Sequence, residues 1–349
     1  MTYEYGRVEI PSSGLRLHLN ENTSGCSPAV IEVLRRTTGE DAAFYPNYAA
    51  AIAACAGHLR IDEASLLLTN GLDEGILAAS VGALRGGGEE NPFEAIVVVP
   101  AFDMYAACAD AAGGRVIEVP LGDNFAFPLQ RVLEAITGRT RIVFLTNPNN
   151  PTGIVVPRGD ILAIADAAPG ATIFLDEAYT DFSDTTLIGD AAAAKRSNIV
   201  IGRTFAKAYG LAGLRIGALV ATPERLAPLR RVVPPYSVNA LAAVALPAAL
   251  GDTAHHASYL AQTRESKQLV YTTLDRIGIR YWPSETNFVL ARFGDHSGRV
   301  IAGLKARGIY VRDRSADHGC AGCVRITTGV LEDTRTCVTA IEEVMCDAR

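Results

Sequence analysis

The chain has 349 residues, 49% hydrophobic and 20% charged, with a formal net charge of -6, which is a globular composition long enough for two or three lobes. No basic block occurs, which excludes nucleic acid as the main partner, because neutralising phosphates takes clustered Lys and Arg. No apolar run reaches the roughly 18 residues of a membrane span, and MTYEYGRVEIPSSG lacks a charged-then-apolar signal pattern, so the expected location is the cytoplasm.

Taken in order, residues 1–35 carry little core and are expected to pack as an arm on a C-terminal lobe. NGLDEGILAAS (70–80) reads as a turn feeding a helix. GGG (86–88) is followed by acids and opens no helix, so it is a loop rather than a phosphate cradle. AIVVVP (95–100), RIVFLTNP (141–148), TIFLDEAY (172–179), NIVIGRTF (198–205) and RIGALVA (215–221) read as buried strands. Helical patterns such as LQRVLEAI (129–136) and DILAIADAA (160–168) lie between them. Strands alternating with helices predict an α/β lobe over 36–235, a mostly parallel sheet covered on both faces. From 236 to 349 the pattern changes. A long helical stretch (237–278) precedes the strand TNFVLARF, a helix (298–307), the strands GIYVR and CVRITT, and an amphipathic helix (331–346). This is a smaller α+β lobe.

Seven cysteines in a long chain argue against a disulfide framework. Cys320 and Cys323 form one CxxC without a second pair, which reads as a loop with two free thiols rather than a zinc site.

Ligands of open parallel sheets collect at the carboxyl ends of the strands. NPNNPTG (147–153), DEAY (176–179) and RTFAK (203–207) all sit at such ends. Lys207 is the one lysine in a small, apolar, glycine-containing run, TFAKAYGLAGLRIG (204–217). A surface lysine with a snorkelling stem is the ordinary alternative. A partly desolvated lysine has a lowered pKa and forms Schiff bases with aldehydes. Asp176 alone reads equally as a helix cap. Gly71 permits close backbone approach, and the N–H groups of Leu72 and Asp73 at a helix start suit an anion.

The run RTFAKAYGLAGLRIG resembles the cofactor-lysine segment of fold-type I pyridoxal-phosphate aminotransferases, most nearly the histidinol-phosphate aminotransferase branch. The resemblance continues through LNENTSGCSP (19–28), YPN (45–47), NGLDEG (70–75), PAFDMY (100–105), NPNNPTG, DEAY, TNF (286–288), VRD (311–313) and VRIT (324–327), in order along nearly the whole chain. It implies pyridoxal 5'-phosphate held by Lys207, with Asp176 on the pyridine nitrogen. Tyr179 and Asn150 would bond the phenolate oxygen. Gly71, Leu72, Asp73, Thr204 and Arg215 would bind the phosphate, and Phe102 would cover the ring. Tyr45 resembles a tyrosine that reaches the cofactor of a neighbouring subunit, which implies a homodimer with shared active sites. Arg325 and Arg312 resemble the arginines that grip anionic substrates. Tyr105, Asn22 and Asn287 are expected to line the substrate side.

The implied activity is transamination between an amino donor, histidinol phosphate, and 2-oxoglutarate. Aromatic amino acid transamination and threonine-phosphate decarboxylation share the motifs and remain alternatives. A non-catalytic ligand-binding module is disfavoured by the lysine and both anion sites occurring together. Three positions depart from the branch pattern. Thr23 and Ser24 replace a proline and an aromatic residue in the arm, and Ala206 replaces a serine before the lysine.

Overall fold

The apolar runs of the middle of the chain form one seven-stranded sheet in the computed structural model, which describes Val8, residues 10–88 and residues 90–346. Of the arm, residues 1–7 and 9 lie outside the described residues. The order across the sheet is Leu66–Thr69, Gly217–Val220, Ile199–Thr204, Thr172–Asp176, Thr140–Thr146, Glu94–Val99, Arg115–Pro120. Six of these strands share one direction, and Gly217–Val220 is antiparallel to both neighbours. Alternate residues serve opposite faces. Val143, Leu145, Ile173, Leu175, Ile199 and Ile201 enter one apolar core, while Ile142, Phe144, Phe174 and Val200 enter the other.

Register brings the strand ends level. Thr146 pairs with Asp176, and Asp176 with Gly202, so the segments after these strands open on one edge. The ends are pinned by a buried ionic network. Arg203 meets Glu177 and Asp181 at 3.4 and 3.1 Å and also bonds Thr180. Glu177 accepts in addition from Thr186 Oγ1 and the Leu187 N–H.

The smaller lobe carries an antiparallel sheet in the order Arg312–Asp313, Cys323–Thr327, Phe288–Arg292, Arg280–Trp282. It is covered by Thr253–Arg276, Ser297–Ala306 and Leu331–Cys346. Cys320 and Cys323 are buried free thiols, and Cys323 opens the strand.

Two boundaries differ from the expectation. The helical stretch of 237–278 is two helices, Ala240–Gly251 and Thr253–Arg276, divided at Asp252, whose carboxylate caps the second through the His255 N–H. The first buries Ala242, Ala245, Leu246 and Ala249 in the large-lobe core, so residues 240–251 pack with the lobe read as ending at 235. The arm divides likewise. Leu15–Arg16 pairs with Ile309–Tyr310 and Leu17 enters the small-lobe core, while helix Pro28–Arg35 sends Val30 into the large-lobe core.

Replacing Arg203 by Met leaves Glu177 and Asp181 as uncompensated buried carboxylates, which costs about 3–5 kcal/mol. Urea unfolding is expected to show the loss as a lower midpoint at unchanged slope.

Candidate active site

Between the lobes lies a cleft of about 410 Å³ at the carboxyl edge of the large sheet. Among its lining residues are Lys207, Asp176, Tyr179, Asn150, Phe102, Tyr105, Leu72, Asp73, Thr204, Arg215, Arg312 and Arg325. Gly71, Asn22, Asn287 and Tyr45, expected in the site, are not among them.

Lys207 sits three residues beyond the strand Ile199–Thr204, part-buried, and its Nζ donates to the Leu19 carbonyl at 2.9 Å. Burial, and then the positive charge of Arg325, lower its pKa to about 8. About a tenth of the amine is then unprotonated at pH 7, far more than for an ordinary lysine, and a nucleophile requires that form.

Asp176 is buried at the end of a central strand. Its Oδ1 accepts from the Ala178 N–H at 2.8 Å and its Oδ2 from the Tyr105 hydroxyl at 2.6 Å. Thr146 donates in turn to the Tyr105 oxygen at 2.9 Å. Burial outweighs these bonds and raises the carboxyl to about 6. Such a group is poised for a cationic partner. Tyr105 lines the cleft and has a second role that the sequence did not disclose. It is almost wholly buried, stacked on Phe144 at 5.0 Å, and its hydroxyl holds the Asp176 carboxylate. Phe102 meets the Tyr105 ring edge-on at 5.8 Å and lines the cleft.

Tyr179 is buried with its hydroxyl accepting from Asn20 Nδ2 at 2.9 Å, and burial raises its pKa. Asn150 presents its carbonyl oxygen to Arg325 Nη1, which leaves its NH₂ for another acceptor. Arg325 is itself buried, and a second nitrogen donates to the His18 carbonyl at 2.8 Å. Burial lowers its pKa to about 10, so it stays charged at neutral pH.

Helix Gly71–Leu84 begins at the cleft, and its first N–H groups have no intrahelical partner. Gly71 has φ +71°, and a Cβ there would stand 2.7 Å from the Arg215 guanidinium. The space a side chain would fill belongs to the arginine. Arg215 bonds Asp73 at 2.8 Å. Thr204 accepts from the Ala206 N–H at 3.2 Å.

Asn22 is a tether. It bonds the Ala208 carbonyl at 2.9 Å and accepts from the Ser24 N–H and hydroxyl. Asn287 is fully buried and bonds the Asn20 carbonyl at 3.2 Å. Thr23 accepts from the Val330 N–H at 2.8 Å. Thr23 and Ser24 thus stitch the arm and do not line the cleft. Asn20, Glu21 and Arg314, absent from the sequence-derived set, do line it. Asn20 lies in the quoted LNEN motif, but its φ of +55° breaks the two-residue alternation of an extended segment, so spacing could not orient it. Tyr45 is 79% exposed and stacks on Tyr236 at 4.4 Å, outside this cleft.

A family model for aminotransferases of class I and II matches residues 12–341. The chain belongs to that family. It is 36% identical over 339 residues to a histidinol-phosphate aminotransferase of Moorella thermoacetica, covering 95% of this chain and 85% of that one. It is 35% identical to histidinol-phosphate aminotransferase 2 of Ralstonia nicotianae, covering 96% and 89%. The crystal structure of histidinol-phosphate aminotransferase from Sinorhizobium meliloti, in complex with pyridoxal-5'-phosphate, is 25% identical. It superposes with a TM-score of 0.87 over 96% of this chain and 92% of that one. The fold is that of the fold-type I aminotransferases, and the cleft residues of this family member fit the cofactor. A lysine of lowered pKa, a buried carboxylate and a helix start beside Arg215 converge there.

Because burial raises Asp176 above its unfolded value of 3.8, its ionisation opposes folding. In the cofactor-free chain this cost is absent below pH 3.8 and complete once pH has risen through about 6, a loss of roughly 3 kcal/mol. Unfolding curves across that window are expected to lose the corresponding slope in Asp176→Asn. In Tyr105→Phe the upper midpoint should move higher, because a donor to the charged form is gone.

Proposed function

We propose that the chain is a pyridoxal-phosphate enzyme transferring the amino group of histidinol phosphate to 2-oxoglutarate, a step of histidine biosynthesis in the cytoplasm. The observation that carries this reading is the convergence in one cleft of Lys207, the helix start beside Arg215, and three arginines of the small lobe, Arg312, Arg314 and Arg325. Two half-reactions with a phosphorylated amine and a dicarboxylate need one such cationic wall, because guanidinium pairs with either anion in a bidentate manner. The histidinol-phosphate aminotransferases named above support the choice of donor.

Bound pyridoxal phosphate supplies an aldehyde that takes up the amino group and a ring that delocalises the charge left on the donor carbon. The protein's own groups do the rest. Asp176, buried and braced by Tyr105, would keep the ring nitrogen protonated. Tyr179 and Asn150 would donate to the phenolate oxygen, the Asn150 amide being oriented by Arg325. Leu72, Asp73, Thr204 and Arg215 would hold the phosphate, and Phe102 would cover the ring. Lys207, with its lowered pKa, would accept the proton from the donor carbon and act in turn as the acid that returns one. Arg325 and Arg312 orient the substrate anion so that the reacting carbon meets Lys207.

The exposed stack of Tyr45 on Tyr236, beside Phe44 at 66% exposure, supports a homodimer in which Tyr45 serves the partner's cofactor. Light scattering on the active enzyme tests it, and an active monomer would overturn it.

Capture of pyridoxal phosphate by the cofactor-free protein is expected to quicken with a pH midpoint near 8, the Lys207 value. Borohydride reduction should then fix the added mass on Lys207, and Lys207→Ala should lose both mass and turnover. The donor is tested by comparing histidinol phosphate, phenylalanine and threonine phosphate in single turnovers. Preference for histidinol phosphate supports the proposal. Faster reaction with phenylalanine assigns an aromatic aminotransferase, and carbon dioxide from threonine phosphate assigns a decarboxylase. Arg325→Gln is expected to cost roughly 100-fold in kcat/KM with both histidinol phosphate and 2-oxoglutarate, the loss of a buried charge-assisted pair.

A further inference from the structure

A second cleft, of about 830 Å³, lies between the lobes and shares no lining residue with the first. Its large-lobe wall is the turn 122–125 with Arg131, whose guanidinium covers Gly122, 3.6 Å from where a Cβ would stand. Its small-lobe wall carries Arg280, Arg292 and His318. Asp123 is the one carboxylate among the lining residues, so this cleft is locally cationic on a chain of net charge -6. The floor is the contact of Phe125 with Trp282, ring centroids 4.7 Å apart. Arg280 and Arg292 lie over the Trp282 ring at 5.1 and 5.2 Å. Phe125 has φ +63° and Asn124 φ +56°, a left-handed pair that a bulky side chain adopts at a cost, and Arg280 bonds the Asn124 side chain across the lobes.

Trp282 Nε1 and Arg292 Nε are buried with no hydrogen-bond partner among the described residues, while Arg292 Nη2 donates to the Gly319 carbonyl at 2.8 Å. Guanidinium groups of both lobes line the cleft, and together they suit an acceptor that offers oxygens in several directions. A tetrahedral phosphate does so, whereas a carboxylate offers two oxygens in one plane.

We propose that this inter-lobe cleft is a binding site for a phosphate dianion, free or as a small ester, distinct from the catalytic cleft and linking Arg131 of the large lobe to Arg280 and Arg292 of the small one. Such an occupant stabilises one relative placement of the lobes, because it binds only where both walls meet it.

Trp282 is the single tryptophan of the chain, so its emission reports this cleft directly. Inorganic phosphate and glycerol 3-phosphate are titrated in parallel into the pyridoxal-phosphate-loaded enzyme, with potassium chloride at matched ionic strength as control. A saturable emission change beyond the salt control is expected with at least one of them, and the tighter one identifies the source. Arg131→Gln, remote from the catalytic cleft, is expected to raise half-saturation roughly tenfold, the loss of one charge-assisted bond, with transamination kinetics unchanged in the absence of phosphate. Arg280→Gln is expected to weaken binding similarly. No saturable change with either anion overturns the proposal. So does unchanged half-saturation in Arg131→Gln, which would place the anion at Arg312 and Arg325 instead.

Discussion

The active cleft depends on a carboxylate placed where it costs most. Asp176 is buried at the end of a central strand, among residues that belong to the core. Three groups make this tolerable. The Ala178 N–H and the Tyr105 hydroxyl donate to its two oxygens, and Thr146 orients Tyr105. They reduce the desolvation cost without cancelling it, since the carboxyl remains raised to about 6. A cationic ring nitrogen would supply the missing term, so the energy withheld in folding would be available for holding the cofactor. The Arg203–Glu177–Asp181 network behind the strand ends serves the same purpose. It fixes Asp176 relative to the segment that carries Thr204 and Lys207, and that separation determines whether one cofactor meets both.

The arm is the second constraint. Its backbone runs between the lobes and supplies the Leu19 carbonyl to Lys207, the His18 carbonyl to Arg325 and the Asn20 side chain to Tyr179. Asn287 and Thr327 hold Asn20 from the small lobe, and Asn22 reaches Ala208 in the lysine loop. The departures at Thr23 and Ser24 fall on these tethers rather than in the cleft. The residues that line the cleft are others, among them Glu21, Phe102 and the three arginines.

How much was legible in the sequence follows from which residues depend on local geometry alone. Lys207, Asp176, Asn150 and Thr204 follow strand ends, and periodicity locates strand ends, so their convergence was readable. The Gly71 turn was readable for a similar reason, since a helix start and a glycine constrain the backbone by themselves. Tyr105 lines the cleft, but its bond to Asp176 was not legible, because a helical residue after a strand end has two directions available and packing on Phe144 is a long-range outcome. Asn20 was missed for a backbone reason, its left-handed φ. The antiparallel Gly217–Val220 and the allegiance of Ala240–Gly251 to the large lobe are long-range outcomes that no local pattern encodes. An all-apolar helix fits either core equally well by composition.

Arg325 joins these levels. It lies near enough to Lys207 that its charge is the second cause of the lowered lysine pKa, after burial. It also fixes the Asn150 amide and presents its remaining donor capacity to the cleft. An anion seated on Arg325 would offset that positive charge, and the lysine would become more basic while it stays. Its departure would uncover the charge and return the lysine toward the neutral amine, the form that attacks an aldehyde. On the proposed function, substrate binding and lysine protonation would be linked through one guanidinium. A lysine in place of Arg325 would keep the charge, but it lacks the fork that reaches Asn150 and His18 together.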